Sequence, residues 1–209
     1  MPVTHTHTAA PNVTARESHG ADPFRERLLD GLAEGIAQRG YRETTVADIV
    51  RYAKTSKRTF YAHFASKEAC LMDLLESDNA RIIATIRAGV DPDADWLVQV
   101  EQAVDSYLTA IEGRPAVTVT WIRDFPALGY EARPMQRQGM DRFTDLLIDI
   151  TSSPGFRRAQ LPTVSRATAL ILLGGLRELT AVTMEDGEGI RGIADTAVRA
   201  CVGLITASR

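Results

Sequence analysis

The sequence predicts an all-α protein, and three observations support this fold class. Apolar residues recur every three or four positions over most of the chain, which is the period of helices with one buried face. Serine, threonine or aspartate precedes several of these segments as a helix N-cap would, and glycine or proline follows them. Only residues 117–121 alternate like a strand, and a lone strand would have no partner.

Composition bounds the class of protein. The chain has 209 residues, 44% of them apolar, and a formal net charge of -3, which suffices for one compact domain or for a small domain on a larger one. Cys70 and Cys201 are far apart in sequence and form no CxxC motif, so we expect neither a disulfide framework nor a metal site, and no cofactor. No signal-peptide pattern or uninterrupted apolar run of membrane-spanning length is present, which predicts a cytoplasmic protein without a membrane partner.

Residues 1–21 are expected to form a disordered arm. They are rich in Thr, His, Ala, Pro and Ser and have no apolar period. His5 and His7 have no other ligand type nearby, so we do not predict a metal site there. The first helix is expected to begin at Asp22-Pro23, an N-cap followed by proline, and to end at Gly40.

Residues 44–67 carry the signals of a helix-turn-helix. Thr45, with Asp48 three positions later, predicts a capped first helix, and Ser56 is placed to cap a second, short helix from Lys57. On that helix Phe60 and Phe64 are one turn apart and are predicted to face inward. This arrangement leaves three side chains facing out: Lys57, Arg58 and Tyr61. A short cationic and aromatic helix of this kind fits the major groove of DNA.

The charge around this segment supports the interpretation. Residues 39–67 contain seven Lys or Arg against two acidic residues, Glu43 and Asp48, although the whole chain is acidic. The positive charge is therefore concentrated, as phosphate binding requires. The alternative is a basic face that is merely solvated.

The run from Thr45 to Glu68, T-V-x-x-I-x-x-x-A-x-x-S-x-x-T-F-Y-x-H-F-x-S-K-E, resembles the DNA-binding signature of the TetR/AcrR family of bacterial transcriptional regulators. The resemblance in motif covers about the first third of the folded chain, and the remainder is similar only in its helical pattern and length. One departure lies in the turn, where the family usually has glycine and an aliphatic residue and this chain has Lys54 and Thr55. Lys54 is therefore expected either in a left-handed conformation under mild strain or in a turn of slightly different geometry, with its ammonium group within reach of a phosphate.

The resemblance implies a set of DNA-contacting residues: Thr45, Lys57, Thr59, Tyr61, His63 and Lys67. We add Arg58 from helix geometry and Lys54 from its place in the turn. Lys57 and Arg58 are the candidates for guanine edges, and the others are candidates for phosphates. Tyr61 has the alternative role of propping the helix, and His63 that of a structural histidine.

The rest of the chain predicts five further helical segments. They run from Lys67 to about Ala88, from Trp96 to Glu112, from a first turn containing Pro134 to a stop before Ser152, from Val164 to Met184, and from Ile190 to about Ala207. Residues 117–121 are interpreted as a short helix ending near Phe125-Pro126. The predicted domains are an arm (1–21), a three-helix DNA-binding domain (22–68), and a helical effector-binding and dimerisation domain (69–209).

The middle helices hold enough aromatic and soft apolar side chains to line a ligand cavity. The candidates are Trp96, Tyr107, Trp121, Phe125, Met135, Met140 and Phe143. Each of them is also a plausible plain core residue. Four polar residues beside apolar stretches are candidates for orienting a ligand, for pairing across a dimer, or for lying in solvent: Arg123, Asp124, Arg177 and Glu178.

The helix from Val164 to Met184 is apolar nearly all round, and the last helix also carries much apolar surface, which predicts a homodimer through a four-helix interface, the alternative being an ordinary core. Together with the resemblance, these patterns predict a ligand-responsive regulator, a repressor that binds a near-palindromic double-stranded DNA operator and is released by a small, mostly apolar effector. The alternatives are a helical ligand-binding or scaffold protein whose DNA-binding surface has degenerated, or an activator. We expect no enzyme, because no phosphate loop, HExxH, GxSxG or paired-cysteine motif is present.

Overall fold

The computed structural model describes residues 22–207, so the arm expected at residues 1–21 lies outside the described residues. The described chain has α-helices and no strand. Their bounds are α1 (Pro23–Arg39), α2 (Val46–Tyr52), α3 (Lys57–His63), α4 (Lys67–Gly89), α5 (Trp96–Glu112), α6 (Pro115–Val119), α7 (Arg133–Thr151), α8 (Pro154–Arg158), α9 (Arg166–Glu185) and α10 (Ala194–Ala207). The all-α class predicted from sequence is confirmed.

The first three helices pack around a core that the start of α4 completes. Leu28, Leu32, Ile49, Phe60 and Leu71 are each 0% exposed. The same cluster continues into the segment that follows α6, including Trp121 and Phe125. The apolar core of the N-terminal helices is thus continuous with that of the helical body.

Two glycines allow α1 to lie close to α2. A Cβ atom at Gly31 would be 2.6 Å from the carbonyl oxygen of Ile49, and one at Gly35 would be 2.5 Å from Cγ2 of Thr44. Both distances are shorter than real side chains tolerate, so larger residues would push the helices apart. Helix α1 ends as predicted, at Gly40, whose φ is 79°.

The segment between α6 and α7 is helical, as expected, but irregular. A π-helical turn (Thr120–Asp124) and a 3-10 segment (Phe125–Ala132) continue α6, with a kink at Gly129, where φ is 80°. The β-branched alternation of residues 117–121 therefore does not produce a strand. Val117, Trp121 and Ile122 are buried between helices instead, so tertiary packing overrides the local strand preference.

One helix was missed by the sequence interpretation. Residues 152–155 were expected to end a helix, and α8 (Pro154–Arg158) begins there. Ser153 caps it and Pro154 occupies its first turn, which is a recognisable start signal. Its Phe156 is 0% exposed, so this short helix contributes to the core.

Helix α9 leaves apolar surface uncovered. Leu170, Ile171 and Val182 of α9 are 43%, 63% and 42% exposed, and a Cβ atom at Gly174 or Gly175 would meet nothing within 4 Å. Helix α9 is also the one described helix long and apolar enough to cross a membrane by length and composition, a test that core helices also pass. Its uncovered face needs a partner.

Candidate nucleic-acid interface and effector cavity

Helix α3 presents a cationic face and buries an aromatic one. The Ser56 hydroxyl accepts a hydrogen bond from the Thr59 N–H at 3.1 Å and so caps the helix. Phe60 is 0% and Phe64 4% exposed, whereas Tyr61 is 59% exposed. Lys57 and Arg58 are also exposed. The predicted division of this helix into an inner and an outer face is confirmed.

The turn before α3 contains the expected left-handed residue. Lys54 has a φ of 50°, and the Thr55 N–H donates to the Val50 carbonyl at 2.9 Å across the turn. A side chain in this conformation is strained because Cβ approaches the carbonyl oxygen. Lys54 is exposed, so the ammonium group of this strained residue is available to a phosphate.

Substituting Lys54 separates backbone strain from charge. We expect Lys54→Gly to raise the free energy of unfolding by about 1 kcal/mol by relieving the left-handed strain, and to weaken DNA binding by the loss of one cation. Lys54→Ala is the control, because it loses the same charge and keeps the strain. Urea unfolding and DNA titration of both variants check this. Equal stability of the two variants would contradict the strain argument.

Helix α2 begins with the capping box that the sequence predicts. The Thr45 hydroxyl accepts from the Asp48 N–H at 3.2 Å, and the Thr45 N–H donates to Asp48 Oδ2 at 3.1 Å. The Thr45 hydroxyl also donates to Asp48 Oδ2 at 2.7 Å, and Arg51 donates to Asp48 Oδ1 at 2.9 Å. These bonds, those from Thr45 foremost, lower the pKa of Asp48 from 3.8 to about 2.

The capping box makes stability depend on acid pH. Because folding depresses the pKa of Asp48, its carboxylate stabilises the fold above pH 3.8 and loses that contribution as the pH falls toward about 2. We therefore expect the stability difference between the parent and Asp48→Asn to shrink between pH 5 and pH 2.5. Urea unfolding at several pH values measures it, with Asp93→Asn as the single-charge control. A difference that stays constant with pH would refute this.

Lys67 is turned toward the domain, so its predicted phosphate contact would compete with partners inside the chain. Its ammonium group donates to the carbonyls of Tyr41 at 3.0 Å and Thr44 at 2.9 Å, with the Arg42 carbonyl at 3.4 Å. It also lies 4.3 Å from the centroid of the Tyr41 ring. An ammonium group has three donors, and these carbonyls use them. Lys67 holds the loop after α1 against the start of α4.

Two other expected contact residues have partners within the domain. His63 Nδ1 lies 3.4 Å from the Asp22 carboxylate, which favours the structural role that the sequence left open. The Thr59 hydroxyl shares a 2.9 Å hydrogen bond with the Ser56 hydroxyl. By contrast, Lys54, Lys57 and Arg58 form no ion pair with any of residues 22–207, so these three cations of the turn and α3 are available to an external anion.

The helical body contains a cavity of about 120 Å³ whose lining is almost wholly apolar. Helices α4, α5, α7, α9 and α10 and the π-helical turn contribute to it. Of the candidates from sequence, Tyr107, Trp121, Met140 and Phe143 line it. A cavity of ~150 Å³ with similar walls holds one aromatic ring in a well-studied case, so this volume suits a small apolar group.

Four candidates lie elsewhere, and the corrections have packing reasons. Trp96 lies behind Phe156, with ring centroids 6.1 Å apart. Phe125 is 0% exposed and stacks behind Trp121 at 5.0 Å. Met135 packs against the core shared with the N-terminal helices.

The fourth correction concerns Glu178. It is a surface residue whose carboxylate accepts two hydrogen bonds from Arg123 at 2.9 Å, so it cannot orient a ligand in the cavity. Among the polar residues on the cavity wall, Arg177 is one of the candidates from sequence, whereas Asn79 is not. Asn79 interrupts the apolar stripe of α4 between Leu75 and Ile82, which is a signal that the sequence contains. For Arg177 the sequence leaves three roles open: orienting a ligand, pairing across a dimer, or lying in solvent.

The comparisons with known proteins agree on the kind of protein. Residues 28–74 match the family model described as bacterial regulatory proteins, tetR family. The transcriptional repressor KstR2 of Mycobacterium tuberculosis is 33% identical over 109 residues, which are 52% of this chain and 54% of the relative. This chain spans 24%, 48% and 54% of the length of three curated relatives that it matches, KstR2 being the third.

Solved structures resemble the whole described fold. The fatty acid degradation regulator FadR from Bacillus halodurans has a TM-score of 0.75 at 18% identity, covering 86% of this chain and 95% of that one. The transcriptional regulator FadR from Bacillus subtilis, solved in complex with stearoyl-CoA, has a TM-score of 0.72 at 15% identity, covering 86% and 97%. At these identities the likeness establishes the fold. The matched proteins are regulators rather than enzymes.

Proposed function

We infer from its membership of the TetR family of bacterial regulatory proteins that this chain is a ligand-responsive transcriptional regulator that binds DNA. The observation that carries the proposal is the orientation of α3, which buries Phe60 and Phe64 and exposes Lys57 and Arg58. A short helix braced from behind, with cations in front, suits the major groove. We propose further that the protein is a cytoplasmic repressor.

The base contacts are assigned to Lys57 and Arg58 because guanine displays two acceptors that cationic donors match. Tyr61, Thr45 and Lys54 are assigned to phosphates, which set the register of the helix on the duplex without reading sequence. A two-fold dimer carries two copies of this surface, so the operator is expected to be a near-palindrome whose half-sites are about one helical turn apart.

The dimer is assigned to α9 and α10. The exposed apolar side chains of α9, together with Gly174 and Gly175, form a face on which a second copy of the same two helices packs closely. Burying this face also accounts for the high hydropathy of α9 without a membrane. The interface follows from the unsatisfied apolar surface of the single chain.

A charge placed in this interface should separate the protomers. We expect Ile171→Glu to raise the dimer dissociation constant by at least about 10-fold, because a carboxylate would be buried without a partner. Light scattering across a dilution series measures it. Leu97→Glu is the matched control, since Leu97 is a 42% exposed apolar residue on α5. Equal dissociation of both variants would refute the assignment.

The cavity is assigned to an effector that is mostly apolar, and two contacts link it to the DNA-binding helices. Trp121 lines the cavity and also belongs to the core that contains Phe60. Asp124, in the same π-helical turn, pairs with Arg42 at 3.3 Å in the loop before α2. A ligand that displaces Trp121 would therefore shift α1 to α4, and it must favour the released state by its coupling energy, typically about 1–3 kcal/mol.

Fluorescence anisotropy with labelled DNA from upstream of the gene tests the proposal. We expect tight binding to a near-palindromic duplex, weak binding to a scrambled duplex, and a loss of about 10³-fold or more in affinity between 50 and 200 mM salt. A scaffold protein would bind both duplexes equally weakly. Transcription from the operator should rise when the gene is deleted, whereas an activator would give a fall.

A further inference from the structure

One cation is set into the apolar wall of the cavity without an ion pair among the described residues. Arg177 lines the cavity and is half-buried, and its Nε is fully buried with no acceptor among residues 22–207. Its Nη2 donates to the Ile122 carbonyl at 2.9 Å, and it forms no ion pair within the described residues. Burial lowers the pKa of Arg177 from its ordinary value.

The carboxylates that would neutralise Arg177 are already taken. Glu178 is its neighbour in sequence, but both of its oxygens accept from Arg123 at 2.9 Å. Glu185, two turns further along α9, also accepts from Arg123, at 2.7 and 2.9 Å. Arg123 thus binds both carboxylates, and Glu178 acts on Arg177 only through space, so Arg177 has no carboxylate partner among the described residues.

Two uncharged polar residues also line the cavity: Asn79 of α4 and Tyr107 of α5. Asn79 is 7% exposed, and its amide has no hydrogen-bond partner among the described residues. Tyr107, whose hydroxyl forms a 3.0 Å hydrogen bond with the Thr180 hydroxyl, is close enough to Arg177 for each to affect the other electrostatically. The cavity therefore has a few hydrogen-bond donors in a lining that is mostly apolar, the arrangement that fixes a ligand's polar end.

A buried guanidinium with an open donor is costly, and a carboxylate matches its fork with two parallel hydrogen bonds. On the basis of the proposed function, we propose that the effector is an amphipathic acid: its carboxylate docks on Arg177 beside Asn79 and Tyr107, and its aliphatic or aryl body fills the apolar cavity. A neutral molecule of the same shape would leave the guanidinium unpaired, so the site selects acids over alcohols.

Calorimetry and thermal unfolding of the full chain without DNA test this proposal, using hexanoate, octanoate, decanoate and 4-phenylbutyrate against the corresponding alcohols. We expect at least one acid to bind about 10-fold or more tightly than its alcohol. Arg177→Met should erase that preference while alcohol binding stays within about 2-fold. Arg137→Met, which removes an exposed α7 cation, should keep it.

Several outcomes would overturn the proposal. These are equal affinity for acid and alcohol, no binding of any of the four acids, an acid preference that survives Arg177→Met, or binding of octanoyl-CoA without binding of octanoate. If Arg177→Met fails to fold, Arg177→Lys replaces it: it keeps the charge but loses the fork, so acid affinity should fall while the acid preference remains. Because these measurements contain no DNA, a negative result would count against the acid effector and would not affect the test of operator binding. A negative result in the operator experiment would likewise leave the acid proposal untouched.

Discussion

Replacing Lys57 and Arg58 together by alanine is expected to abolish sequence-selective DNA binding while leaving the fold intact. Both side chains are exposed on α3 and form no ion pair within the described residues, so their removal costs the folded state little. Each good contact to a base edge contributes about 1–3 kcal/mol, and a dimer has two copies of the pair. We therefore expect affinity for the operator to fall by about 100-fold or more.

The comparison of two duplexes separates base recognition from general attraction. Anisotropy titrations with the operator and a scrambled duplex should show the double variant binding both with similar, weak affinity. The matched control is Arg133→Ala/Arg137→Ala, which removes two exposed cations from α7 and so changes the net charge equally. Selective binding that survives in Lys57→Ala/Arg58→Ala would remove the base-contact assignment.

The local sequence predicts this surface well because the signals that build it are local. The Thr45 and Ser56 caps, the spacing of Phe60 and Phe64, and the left-handed Lys54 depend on residues within one or two helical turns. Each was expected from sequence and each is present. Where a side chain's partners are distant in the chain, the same logic fails.

Lys67 and Arg177 illustrate that limit. At the start of α4, Lys67 has the pattern of an exposed cation, but carbonyls 23 to 26 residues earlier in the chain converge on its ammonium group. Arg177 is the opposite case, because its acidic neighbour in sequence does not pair with it. Adjacency in sequence predicts that Glu178 pairs with Arg177. The Glu178 carboxylate is instead bound by Arg123, which lies 55 residues before Glu178 in the chain.

The cavity could be predicted only in outline. The composition of the middle helices indicated that aromatic side chains surround a cavity. The helical period, however, does not predict whether a given aromatic ring lines that cavity or packs in the core shared with α1. Trp121 reaches the cavity, while Phe125, one turn later, lies behind it in the core shared with α1. The different positions of Trp121 and Phe125 depend on the π-helical turn at residues 120–124, which no motif in the sequence predicts.

Truncating Phe60 is expected to have the largest effect on stability of any single substitution in the DNA-binding helices. The ring is 0% exposed and contacts Phe64 and Tyr61, with centroid distances of 5.7 and 5.3 Å. Phe60→Ala should lower the free energy of unfolding by about 3–5 kcal/mol, since it leaves a cavity that rigid neighbouring helices cannot close. Urea unfolding at fixed protomer concentration measures this.

The consequence for function follows from the length of α3. A helix of seven residues has little stability of its own in water, so its orientation depends on the packing of Phe60 and Phe64 behind it. Phe60→Ala should therefore also weaken operator binding, although the residue touches no DNA. Tyr61→Ala is the matched control: its ring is 59% exposed and makes an edge contact with Phe60, so the free energy of unfolding should fall by at most about 1.5 kcal/mol while phosphate contact is lost. If the free energy of unfolding of Phe60→Ala lies within about 1 kcal/mol of that of the parent, packing of this ring does not hold α3 in place. The proposed DNA-binding face would then lose its support.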